Sequence, residues 1–165
     1  MIPTRDHAWT RSHHTATALL LTGVMIGVAA ASAQAQRLEL SVAPRTITFP
    51  STDPDAAPLV VSPPVQVTYR IRQNGNSPWS LTILAGGDLI SGSATVDISN
   101  VSWVASPAPP FQNGTLSKTV AQRLASGTGN ETPARHGQVT FRLANSWTYS
   151  TGVYTQVVVF TLTAP

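Results

Sequence analysis

From Gln36 onward, apolar residues recur at every second position and no window repeats them at helical spacing, which confines the chain to β-strands. The alternation is clearest over 64–72, where Val65, Val67, Tyr69 and Ile71 share one face and Gln66, Thr68, Arg70 and Arg72 the other. Asn74-Gly75-Asn76 follows as a turn signal, and Trp79, Leu81 and Ile83 then alternate with Ser80 and Thr82, which predicts a hairpin with a slightly long loop. Short strands are expected over 94–98, 101–105, 115–120 and 137–144, each bounded by breakers such as Ser106-Pro107-Ala108-Pro109-Pro110 and Gln112-Asn113-Gly114. The last run, 152–163, sets Tyr154, Val158, Phe160 and Leu162 on one face and Val153, Val157 and Val159 on the other, the pattern of a strand covered on both sides. Leu38, Leu40 and Val42 alternate with Arg37, Glu39 and Ser41, and Thr46, Thr48 and Phe49 continue beyond Pro44. The whole reads as an all-β, immunoglobulin-like antiparallel β-sandwich of about eight or nine strands.

What precedes Gln36 has a different character. Arg5, His7 and Arg11 lie in the first eleven residues, and no Asp, Glu, Lys or Arg then appears before Arg37. A basic head, an apolar middle and small residues at the end form the layout of a secretory signal peptide. Both Ala31-Ser32-Ala33 and Ala33-Gln34-Ala35 obey the A-x-A rule, and the rise in polarity after Ala35 favours the second. The expected organisation is a signal peptide over 1–35 and one sandwich domain over 36–165, with no membrane span after cleavage. The expected location is secreted, periplasmic or at a bacterial cell surface.

Export makes the absence of cysteine informative: no disulfide staples this domain, and no thiol chemistry is open to it. The formal charge of +3 falls to +2 once Arg5, Arg11 and Asp6 leave with the leader. The remaining basic residues are scattered, with no cluster dense enough to track phosphates, so nucleic acid is not an expected partner.

Catalysis finds few side chains to use. His136 is the one histidine after the leader, which rules out a two-histidine metal site, and no G-x-S-x-G elbow accompanies it. The acidic set is Glu39, Asp53, Asp55, Asp88, Asp97 and Glu131, and most of these sit beside Pro, Gly or Asn, where Asp favours turns by bonding its own backbone. No enzyme, cofactor or metal is expected. Binding is more plausible than chemistry. Trp103, Trp147 and Tyr149 are the candidate ligand-stacking residues, because flat rings cover the apolar face of a sugar while polar neighbours meet its hydroxyls. Trp79 and Tyr154 lie in alternating strands, which favours core packing for them.

Two resemblances rest on short motifs. Trp79-Ser80-Leu81, with Gly152-Val153-Tyr154-Thr155 and the closing Phe160-Thr161-Leu162-Thr163-Ala164-Pro165, resembles the WxL domains of bacterial surface proteins. Trp79 and Leu81 match the first motif of that family, and Phe160 and Leu162 occupy the second, with Phe in place of Trp. The resemblance implies a β-sandwich attached non-covalently to cell-wall peptidoglycan. The Gly152-Val153-Tyr154-Thr155 start and long final strand are also similar to spore coat U-type and pilin-like domains, which implies a sandwich completed by a strand from a neighbour, with Leu38, Leu40 and Val42 as the donated face. Length and patterning favour the alternative in which that segment folds back on its own sheet.

The expected function is therefore a non-catalytic, secreted or cell-surface structural or adhesive module. A carbohydrate-binding module and a subunit assembled by strand exchange are the alternatives. The corresponding partners are cell-wall or surface polysaccharide and neighbouring surface-protein subunits.

Overall fold

In the computed structural model, residues 36–50 and 52–165 are described, so the leader and both cut sites lie outside the described residues. The alternating run becomes strand β3 (Val65–Arg72), with Val65, Val67, Tyr69 and Ile71 buried. It is flanked by β1 (Arg37–Ala43) and β10 (Glu131–Ala144), both antiparallel to it. β7 (Val101–Ser106) pairs with the far side of β10, and the two-residue β8 (Gly114–Thr115) closes that edge. β2 (Leu59–Val61) joins β10 beyond the end of β3, giving a six-stranded sheet.

Between β2 and β3, Pro63 and Pro64 offer no N–H to the sheet, and Ser62 repairs the gap. Its N–H donates to the Phe141 carbonyl at 2.9 Å and its buried Oγ accepts from the Phe141 N–H at 3.0 Å. The ladder continues through a side chain where the backbone has no donor.

The second sheet has β4 (Pro78–Ala85) at its centre, β9 (Gln122–Thr128) on one side and β11 (Val158–Thr163) on the other. A separate hairpin joins β5 (Leu89–Ser91) to β6 (Ala94–Val96), followed by a 3-10 turn capped by Asp97. The two larger sheets pack face to face, and the core is made by inward residues of both: Val67, Tyr69, Trp103, Val139 and Phe141 from one, Trp79, Leu81, Ile83 and Ala125 from the other. Tyr69 packs against Trp79 with ring centroids 5.1 Å apart and planes tilted by 51°, and meets Phe111 edge-on at 5.8 Å. Trp79 leaves no room on β9 opposite it: a Cβ on Gly127 would stand 2.7 Å from its ring.

Five expectations change. β3 and β4 do not form a hairpin; they lie in different sheets, so 73–77 is an arch that crosses the sandwich. Gly75 supplies the left-handed turn at φ 76°, and Gln73 holds the arch, donating from Nε2 to the carbonyls of Ser77 and Gly129. Strand signal over 115–120 shrinks to Gly114–Thr115, and 46–49 belongs to no strand, with Ile47 and Phe49 resting on the core. The described residues contain eleven strands, because β2, β5 and β6 are three residues each and too short to show alternation. The last strand is β11 alone, an edge covered on one face rather than both: Val158, Phe160 and Leu162 are half-buried, while Val157 and Val159 face outward.

Candidate functional site

The aromatic residues expected to form a binding face separate. Trp103 is 1% exposed, opposite Phe141 on β10, and its Nε1 donates to the Gln112 carbonyl at 2.8 Å. It is a core residue, and no ligand ring can reach it. Tyr149 is half-buried against the core, and burial raises the pKa of its phenol. Tyr154 is also half-buried and donates its hydroxyl to the Ser150 carbonyl at 2.9 Å. Trp79 and Leu81 are buried, whereas Phe160 and Leu162 lie half-covered along the edge of the sandwich.

Trp147 alone keeps its ring in solvent, at 67% exposure. It is held there: Nε1 donates to Asp55 Oδ1 at 3.0 Å, the Asp55 N–H donates to Asp53 Oδ1 at 2.8 Å, and Asn145 Nδ2 ties the preceding residue pair to the Thr52 and Ala57 carbonyls. The turn acids expected from sequence thus position backbone and an indole. A shallow depression of about 730 Å³ lies at the opposite kind of place, beside the start of β4, where Ser80, Arg123, Ser126 and Thr163 surround the rim of Trp79.

Several of the other ionisable groups pair with one another. Lys118 bonds both Asp88 oxygens at 2.8 and 2.6 Å and stands 3.6 Å from Asp97. The Lys118 hydrogen bond holds Asp88 below the ordinary carboxylate range, Ser99 does so for Asp97, and Asp88 raises Lys118. Glu39 meets Arg37 at 2.8 Å and Arg70 at 3.7 Å, and Glu131 meets Arg135 at 2.6 Å. His136 is exposed and shares a 3.0 Å hydrogen bond with Thr68 across the β3–β10 pair. Among the described residues, no three His, Cys, Asp or Glu side chains converge on a metal-sized point.

The strand edges supply a different kind of site, one that sequence patterning did not reveal. β11 pairs with β4 on one side, and among the described residues no further strand is hydrogen-bonded to its other side. The direction of its free groups follows from the register. The Gly86 N–H donates to the Val157 carbonyl directly opposite it, while the Ala85 N–H turns away to Ser117. Backbone groups alternate sides along a strand, so Val159, Thr161 and Thr163 bond β4, and Val158, Phe160 and Leu162 present N–H and C=O to the open side.

The edges at β1 and β9 are defended, and those at β2 and β8 are only three and two residues long. β1 carries the Arg37–Glu39 pair and ends at Pro44, and β9 is bridged by Phe111 at Ala125, with the Gln112 N–H on the Leu124 carbonyl. β11 has no charge, no proline and no bulge. Its outward side adds apolar surface: Val157 and Val159 are 68% and 48% exposed, and before them in the chain Ile90, bridged to Thr155, is exposed as well. No family model matches this chain, and no curated protein is similar to it.

Proposed function

We propose that this chain is a non-catalytic structural or adhesive module of the bacterial cell surface, exported by its leader and joined to neighbouring surface proteins through the open edge of β11. The observation that carries this reading is that edge: a strand paired on one side only, without charge, beside exposed valines, in a domain whose edges at β1 and β9 are guarded. Addition of a strand would satisfy the free N–H and C=O groups of Val158, Phe160 and Leu162 and cover their half-buried side chains. A photo-crosslinking residue placed at Val159 in intact cells tests it. Covalent capture of a protein neighbour is expected there and not from the same residue at Gln138, which is exposed on the outer face of β10. A Val159 probe that captures no protein would overturn the proposal.

A polysaccharide partner has one observation in its favour. Trp147 presents an exposed indole face that Asp55 holds in place, so stacking a sugar on it costs little ordering. Retention on cell-wall or surface polysaccharide that disappears with Trp147→Ala supports this second reading. Equal retention removes it.

A further inference from the structure

Resting on the edge reading above, we infer that the occupant of the β11 edge is β11 of a second copy, paired antiparallel about a two-fold axis. The free groups belong to Val158, Phe160 and Leu162, and an antiparallel partner must offer its own free groups directly opposite. β11 does this for itself in one register that uses all three residues: Phe160 faces Phe160 of the second copy, and Val158 faces its Leu162. In that register every facing pair on the open side exchanges both backbone hydrogen bonds.

The side chains agree with the backbone. Toward the core, the half-buried Phe160, Val158 and Leu162 would cover one another across the axis. On the outer face, Val159 would stand opposite Thr161, and Val157 opposite Thr163, closing part of the exposed valine stripe. No ionisable side chain lies on β11, so two identical strands meet without like-charge repulsion. The three-stranded sheet β9-β4-β11 then runs on into its copy, the isologous arrangement a two-fold interface requires.

The outward positions give a test that leaves the core alone. In the full chain, Val159→Lys with Thr161→Lys places like charges opposite each other across the axis. Val159→Lys with Thr161→Glu places opposite charges there. Sedimentation over a range of concentrations should show a dimer for the unmodified chain and the Lys/Glu variant. The Lys/Lys variant should show a monomer, its dissociation constant raised at least about tenfold, with the thermal midpoint that the unmodified chain has when diluted below its own dissociation constant. An unmodified chain that stays monomeric at every concentration overturns the inference, as does a Lys/Glu variant that dissociates like the Lys/Lys one. Open-ended oligomers that vanish when 36–43 is deleted would also overturn it, by showing exchange of β1. Capture of a different protein at Val159 in cells would sink the two-fold while leaving the proposed function standing, whereas absence of any capture would remove both.

Discussion

Trp79 and Tyr69 carry the sharpest residue-scale consequences. Trp79 is buried against Tyr69 and Gly127, so Trp79→Ala should lower stability by roughly 3 to 5 kcal/mol in denaturant unfolding. Gly127→Ala should cost about 1 to 3 kcal/mol, because its new Cβ collides with the Trp79 indole, which must shift to admit it. Tyr69 acts in the other direction. Its hydroxyl is buried with no partner among the described residues, so Tyr69→Phe should leave the thermal midpoint at pH 7 unchanged or raised. Burial pushes that phenol up to about 12 from 10.0, the nearby Glu131 adding to the effect. The folded state therefore holds its proton where the unfolded chain has lost it. The resulting stability is complete below pH 10 and is lost as pH rises toward 12. Tyrosinate absorbance should show one phenol ionising near pH 12, and the alkaline loss should shrink in Tyr69→Phe. The aromatic assignments show what sequence could reveal: Trp79 sits in a run of alternating apolar residues and reads as core. Trp103 has the same alternation, with Val101 and Ala105 buried beside it, but the prolines that follow obscure it. Trp147 lies in a turn, and only the structure shows that Asp55 fixes it.

At the scale of elements, Ser62 joins two strands that prolines would otherwise separate. Ser62→Ala leaves the Phe141 N–H buried without an acceptor and should cost about 1 to 3 kcal/mol in urea unfolding. β3 was legible because one of its faces is buried throughout and the other is polar. The 73–77 arch was not, since a Gly-Asn turn between two alternating strands has the same sequence signature whether the second strand returns beside the first or crosses to the facing sheet. Gln73 is the distinguishing residue: a hairpin would leave its amide in solvent, and here it is buried, bonding two carbonyls. β11 misled for a related reason. Apolar residues on both faces signal two covers, but one of those faces in this domain is left to solvent.

The arch also sets the order in which the whole molecule can be built. Because β3 and β4 turn away from each other, neither gains a partner from its nearest neighbour at the arch. β3 takes β1 from one side but waits for Glu131–Ala144 on the other, and β4 waits for Gln122–Thr128 and Val158–Thr163. Closing loops of that length before any pairing rewards them makes folding slow, in the range of milliseconds to seconds that such β topologies occupy. Stopped-flow refolding followed by tryptophan fluorescence should place the main phase there, and a microsecond phase carrying the full amplitude would contradict it. A chain that folds only when its distal strands arrive stays extended long enough to be threaded through a narrow passage. It also spends that time with Trp79, Leu81 and Ile83 uncovered, a stretch on which half-folded copies would cling to one another.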